Sequence, residues 1–346
     1  MTLQSLFFQV IGPKRRFYHQ PMYWGLCWVS WAYAWAQRLR GWLYARGMIP
    51  TRRLRAPVIS VGNLTLGGTG KTPVVMWIAE TLRREGFRPA ILSRGYGAEA
   101  PDEVNVVADG ESVLMDPATA GDEPVMMARR LRGIPVLTGP SRYRLGLHAQ
   151  ERLQADVLIL DDGFQHLGLA RDLNLLLLDH RAPVGNGRVF PAGELREPVK
   201  AAHRADAVML TRCRPGAPDL DVKTLVGRDA PLIKTALTAA GLHPLDGDAA
   251  PGDGILGKPA AAFCGIGQPD DFFGTLETMG VRLTLRQGFP DHYDYPQGPL
   301  EAFAEAARRE GAKRLVTTEK DAVKLEGRRL PLPVWVLKLD LKFLAG

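Results

Sequence analysis

Apolar positions follow two regimes along the chain. Leu3, Leu6, Phe7, Val10 and Ile11 recur at three- and four-residue intervals, which is one face of a helix. Gly12-Pro13 ends that run and Lys14-Arg15-Arg16 follows. Trp24, Trp28, Trp31, Trp35 and Trp42 then stand 4, 3, 4 and 7 residues apart. At about 100° per residue they occupy roughly a 60° arc of a single helix. From residue 56 the pattern changes to short apolar runs alternating with amphipathic segments. Strands are predicted at Val58–Val61, Pro89–Ser93, Ile134–Leu137, Val157–Leu160, Leu173–Leu178 and Ala207–Leu210. Helices are predicted at Pro73–Arg84, Asp122–Leu131 and Tyr143–Leu153. Near-continuous apolar strands separated by helices predict an α/β fold with a doubly wound, mostly parallel sheet. Leu242–Lys258, rich in Gly, Pro, Asp and Ala, reads as a linker. A smaller α/β unit follows it: strands Ala260–Cys264, Arg282–Arg286, Arg314–Thr317 and Val334–Leu337, with helices Asp270–Met279 and Leu300–Glu310. The expected organisation is an arm (1–55), a core (56–241), a linker or hinge (242–258) and a smaller C-terminal domain (259–346).

Composition changes this picture in one place. The chain has 346 residues and a net charge of +7. Residues 1–55 hold nine basic residues and no acid, and the first carboxylate of the chain is Glu80. The remainder carries 35 basic against 37 acidic residues. The positive charge therefore belongs to the arm, and points to an anionic partner. Tryptophan favours the membrane–water boundary, where its ring is buried and its N–H stays wet. Met22–Ala36 would rise only about 22 Å as a helix, short of a hydrocarbon core of about 30 Å. A helix lying in the interface, gripped by Arg and Lys on anionic lipid, is the favoured reading. A single span and a core or oligomer helix are the alternatives. An export signal ending at Ala32-x-Ala34-x-Ala36 is disfavoured by Arg38 and Arg40 directly after it. Few polar readers stand between the tryptophans, which argues against nucleic acid. Cys27, Cys213 and Cys264 are far apart with no CxxC spacing, which suits a reducing compartment.

The strongest chemical signal is VGNLTLGGTGKTP at 61–73. It departs from G-x-x-x-x-G-K-[ST] only in having Thr65 at the first glycine. A strand before it and a helix after it are what a phosphate cradle needs. The loop read as nucleotide-binding comprises Thr65, Leu66, Gly67, Gly68, Thr69, Gly70, Lys71 and Thr72. Lys71 would reach the β/γ-phosphates of ATP, and Thr72 would hold Mg²⁺. Val157–Leu160 runs into Asp161-Asp162, the carboxylates that in such proteins stand beside the loop and hold the metal. No guanine-reading N-K-x-D and no LSGGQ-like signature occurs. A small-molecule kinase or a motor-like ATPase remains.

These segments, with SRGYG (93–97), GDEP (121–124), DDGFQH (161–166), FPAGELREP (190–198), FCGIGQPDDF (263–272), FPDHYDY (289–295) and TTEKDAVK (317–324), resemble the tetraacyldisaccharide 4′-kinases of lipid A synthesis. The resemblance runs from the arm to about Leu339, and Thr65 is ordinary in that family. It implies a P-loop kinase that uses ATP and Mg²⁺. The γ-phosphate would pass to the 4′-hydroxyl of an acylated disaccharide 1-phosphate lipid, giving lipid IVA. The enzyme would act as a monomer on the cytoplasmic face of the bacterial inner membrane.

The resemblance also assigns roles. It implies Asp122 as catalytic base, paired with His292 across a cleft that the second domain closes. Lys71 would join them in catalysis. Metal contacts fall to Thr72, Asp161, Asp162 and Glu197. Substrate contacts fall to Arg94, Tyr96, Glu123, His166 and Arg196. Gln165 would order the site, while Lys320 and Asp321 would shape the second domain. From the residues alone, Asp122 reads first as a helix N-cap and His292 as a packed or surface histidine. Other readings are a kinase for another membrane glycolipid, and an ATP-dependent membrane adaptor that transfers nothing.

Overall fold

The computed structural model describes residues 7, 9–12, 17–95, 102–245 and 257–345. Tyr96, Leu3, Leu6, Lys14–Arg16 and most of the expected linker lie outside the described residues. The strands are β1 (Val58–Asn63), β2 (Pro89–Ser93), β3 (Asn105–Ala108), β4 (Val136–Thr138), β5 (Val157–Asp161), β6 (Leu173–Asp179), β7 (Ala207–Thr211), β8 (Leu232–Pro244), β9 (Pro259–Cys264), β10 (Arg282–Gly288), β11 (Leu315–Thr318) and β12 (Val334–Ala345). The helices that matter here are α1 (Gln20–Ala45), α2 (Lys71–Arg84), α3 (Asp122–Arg130), α4 (Arg142–Arg152), α5 (Pro269–Thr278), α6 (Gln297–Arg309) and α7 (Glu319–Ala322).

The chain forms two compact units. Unit 1 comprises 1–94, 139–236 and 343–346, and unit 2 comprises 95–138 and 237–342. This differs from the boundaries expected above. Residues 95–138, read as part of the core, belong to unit 2. The passage from unit 1 to unit 2 falls inside β8 at Ala236/Leu237, ahead of the expected hinge. The reason is compositional. Leu232–Pro244 is built of Ala, Thr and Gly among few large apolar residues and is half-exposed over most of its length. It therefore lacks the apolar run by which buried strands are read.

In unit 1 the strand order is β2-β5-β1-β6-β7-β8, and every pairing is parallel. Val58, Val61, Leu158–Leu160 and Leu176–Leu178 are almost wholly buried, as expected for strands covered on both faces. Each such Leu or Val contributes about 1.5–3 kcal/mol of burial. Val61 stands opposite Asp161 in the β1–β5 register. The sheet thus places the acidic end of β5 beside the end of β1, where the glycine loop leaves. Ligands bind at such carboxyl-end crevices, where the chain turns to opposite sides of the sheet.

The arm belongs to unit 1. Tyr23, Ser30 and Ala34 form the buried face of α1. The Ser30 hydroxyl donates to the Val189 carbonyl (2.6 Å), and Arg40 donates to the Gln165 carbonyl (3.0 Å). Val10, Tyr23 and Ala192 pack with Leu26 and Cys27. The five tryptophans lie on the other side and are 46–74% exposed. At 26 residues α1 is about 39 Å long, yet no described helix is long and apolar enough to cross a membrane.

In unit 2, β10, β9, β11 and β12 pair in parallel in that order, and β3 and β4 form an antiparallel pair. Phe272, Phe273 and Leu276 of α5 pack with Ala260, Ala262 and Cys264 of β9. Leu300, Phe303 and Ala307 of α6 pack with the alternate residues Ala261 and Phe263. The period of two along β9 therefore supplies two cores.

Candidate active site

In unit 1 the loop after β1 takes its shape from two glycines. Gly67 has φ +97° and Gly70 φ +75°, the left-handed region that side chains disfavour. Thr65 is not among the residues with positive φ, so that position has no need of glycine. Thr65 is instead tied in place: Asn63 Nδ2 donates to its carbonyl (2.9 Å), and the neighbouring Leu66 N–H donates to the Glu194 carbonyl (2.6 Å). No side chain caps α2, so its first-turn amides suit an anion. Lys71 Nζ lies 3.2 Å from Asn63 Oδ1 and 3.6 Å from Asp162 Oδ1. The lysine thereby joins the loop to the acidic end of β5.

Asp161 is buried and accepts from the Ser93 hydroxyl (3.0 Å). Asp162, at φ +53°, receives Arg196 Nη1 at 2.6 Å. Burial opposes its charge, but Lys71, Arg196 and Arg142 outweigh burial and hold its pKa below the usual carboxylate value. Thr72, Asp161 and Asp162 each offer oxygen donors, the chemistry that Mg²⁺ takes together with nucleotide phosphates. Glu197 is buried and engaged by Arg204, with Arg40 4.0 Å away. To ligate a metal it would have to exchange those partners. Among the described residues there is no group of three or more His, Cys, Asp or Glu side chains disposed to hold a metal by itself.

A cationic group surrounds His166. Burial, then Arg142, Arg171, Arg40 and Arg94, push its pKa down to about 4. The imidazole is therefore neutral at pH 7, beside guanidiniums suited to an anionic ligand. Arg142 itself is buried, and burial lowers its pKa against the pull of Asp161 and Asp162. Sequence reasoning selected Arg94, His166 and Arg196 but missed Arg40, Arg142, Arg171 and Arg204. No local pattern marks these arginines; they converge through the fold.

In unit 2 the structure removes the N-cap reading of Asp122. Gly121, at φ +91°, is the cap residue of α3, and Asp122 is the first helical residue. Its carboxylate does not cap the helix. Oδ2 lies 3.0 Å from His292 Nδ1 and 2.7 Å from Lys324 Nζ. Burial penalises the carboxylate, but the bonds from His292 and Lys324 and the lysine charge outweigh it and lower its pKa. Lys320 Nζ lies 3.2 Å from His292 Nε2, 2.8 Å from Asp291 Oδ1 and 3.7 Å from Glu123 Oε1. Asp122 and His292 both belong to unit 2, so their pairing needs no closure between domains, contrary to the cleft-spanning pair expected from the sequence. Lys324 carries no role in the sequence reading, although TTEKDAVK contains it.

The sequence that carries this glycine cradle, lysine and strand-end carboxylates matches a known family over most of the chain. The family described as LpxK, tetraacyldisaccharide-1-P 4′-kinase, matches residues 22–346. The chain belongs to this family. A tetraacyldisaccharide 4′-kinase of Geobacter metallireducens is 46% identical over 301 residues, covering 85% of this chain and 86% of that protein. The Geobacter sulfurreducens enzyme of the same name is 46% identical over 310 residues, covering 88% and 85%. The crystal structure of LpxK from Aquifex aeolicus in complex with ATP has a TM-score of 0.78 and 35% identity, covering 93% of this chain and 95% of that one. The α/β P-loop architecture of this LpxK-family chain is thus shared with a solved relative that binds ATP.

Proposed function

We propose that this chain transfers the γ-phosphate of ATP to the 4′-hydroxyl of a tetraacyldisaccharide 1-phosphate, forming lipid IVA. The observation that carries this reading is the family match, whose span includes the glycine cradle, Asp161-Asp162 and the Asp122–His292 pair. Unit 1 supplies the nucleotide site. Amides of Gly67–Lys71 bind the phosphates, and Lys71 neutralises charge developing on them. Thr72, Asp161 and Asp162 would hold Mg²⁺, which would offset charge on the phosphates when bound; Glu197 would join them on release from Arg204. Unit 2 supplies Asp122, which accepts the acceptor hydroxyl's proton as the P–O bond forms and ADP leaves. Arg94, Tyr96, Glu123, His166 and Arg196 contact the disaccharide or its 1-phosphate. The exposed tryptophan face of α1 and the arm's arginines hold the protein on the cytoplasmic face of the inner membrane.

The test is transfer of ³²P from ATP to tetraacyldisaccharide 1-phosphate in mixed micelles. The intact protein should phosphorylate the lipid, while Lys71→Ala and Asp122→Ala should lose about 10²-fold or more in rate. No transfer by the intact protein ends this reading. An adaptor without transfer would keep its activity in Asp122→Asn.

A further inference from the structure

We propose that Lys324 and Lys320 are positioning residues that lock the Asp122–His292 pair into one arrangement, an ionised carboxylate facing a neutral imidazole protonated on Nδ1. The inference rests on the kinase reading for its consequence in turnover, but on geometry for its substance.

An ammonium has hydrogens and no acceptor. Lys320 Nζ, 3.2 Å from His292 Nε2, can bond that nitrogen only through its lone pair. The ring proton is thereby placed on Nδ1, which donates to Asp122 Oδ2 at 3.0 Å. Lys324 bonds the same oxygen at 2.7 Å and is anchored by the Tyr293 carbonyl at 2.8 Å. Both bonds fall on Oδ2, so Oδ1 is the oxygen assigned to take a proton. Among the described residues, the charged and titratable groups facing the pair are Lys320, Lys324, Glu123, Asp291 and Tyr295.

The clamp has a shared foundation. Lys320 and Lys324 flank Asp321, which is fully buried. Its Oδ2 accepts from Gly265 N–H (3.0 Å) and the Thr318 hydroxyl (2.7 Å). Its own carbonyl accepts from Lys324 N–H (3.0 Å), and the Gly265 carbonyl accepts from His292 N–H (3.3 Å). Lys324 is therefore tied to the Asp321 backbone, and His292 to Gly265, which the buried Asp321 carboxylate holds. His292 and Tyr295 both sit at left-handed φ, +61° and +52°. Such strain persists where surroundings over-determine it, and here Tyr293 and Tyr295 pack together and against Phe289.

The trade-off is chemical. A lysine at 2.7 Å makes the carboxylate a weaker base but keeps it ionised and aimed. Removing the charge should raise the Asp122 pKa. The test compares intact protein with Lys324→Met, Lys324→Arg and Lys320→Met by pH profiles of ³²P transfer and by ¹⁵N NMR of His292. In Lys324→Met the acid limb of kcat should move up by about one pH unit, with both KM values little changed, and Lys324→Arg should move it back. In Lys320→Met the fixed Nδ1–H tautomer should give way to a mixture. A uniformly lower rate with the acid limb in place, or an unaltered tautomer, overturns the proposal. Loss of lipid phosphorylation by the intact protein would sink the kinase reading instead. The tautomer of the unliganded protein would still decide whether the clamp exists.

Discussion

Thr211 donates its hydroxyl to the carbonyl of Thr69 across 2.8 Å, and both residues are buried. The end of β7 thus braces the glycine loop from below. Thr211→Val keeps the shape and removes the bond, stranding a carbonyl inside the protein. A loss of about 1 kcal/mol is expected. Because the bond lands on the cradle, it should emerge as an ATP KM raised about fivefold, with kcat at saturation nearly unchanged. An unchanged KM in steady-state assays would mean that the loop holds its shape without β7.

Gly62 is the next test of how the site is held. A Cβ there would meet the backbone nitrogen and Cβ of Phe164, each at 2.7 Å. The turn that follows Asp161-Asp162 packs directly on β1, and backbone cannot yield as a flexible side chain would. Gly62→Ala should destabilise the protein by about 2–3 kcal/mol or more. It should also depress activity by displacing Asp162. Thermal unfolding followed by circular dichroism measures the first effect, and a melting temperature within 1 °C or so of the parent would contradict the close packing.

His166 links the cationic site to pH. Its pKa in the folded protein is about 4, below the ordinary 6.5. Between those values the unfolded chain binds the proton and the folded one refuses it, so this group's contribution to stability falls as pH drops from 6.5 towards 4. His243, also lowered by burial first and then by Lys338 and Arg130, acts in the same direction. Urea melts of the parent and His166→Asn at pH 7, 6 and 5 isolate the His166 part. The variant should lose less stability on acidification; equal losses would mean that the imidazole protonates freely.

The tryptophan face of α1 predicts membrane binding in stepwise increments. Trp28 and Trp31 are 74% and 64% exposed. Moving one such ring into a lipid interface contributes about 1–2 kcal/mol. Trp28→Ala and Trp31→Ala should each weaken sedimentation with anionic vesicles about tenfold, without altering soluble ATP binding. Partitioning that survives both changes would assign the lipid contact to another surface.

The strands of unit 1 were legible because parallel strands buried on both faces leave unbroken apolar runs, as at Val157–Leu160. Asn105–Ala108 was missed because NVVA offers only three apolar residues, too short and mild a run to stand out. β12 was read only as Val334–Leu337, since LKLDLKFLA beyond Val336 alternates large and charged residues along a half-exposed strand. The cradle was legible because its chemistry is contiguous from Thr65 to Thr72. The cluster around Asp122 was only half legible. His292 lies 170 residues away, and Lys324 shares no motif with GDEP. Family resemblance implies the first pairing, and only the fold brings about the second.

The chain passes between the two units after Arg94, Thr138, Ala236 and Lys342. Phe343 then packs on Trp77 with ring centroids 4.6 Å apart, and Leu344 joins the core that contains Leu176 and Val208. Unit 1 is therefore not a segment that can be cut out or finished early. A ribosome that has delivered all of residues 1–236 has still to translate residues 237–342 of unit 2 before unit 1 receives Phe343 and Leu344. Its completion is scheduled after that of the half carrying Asp122.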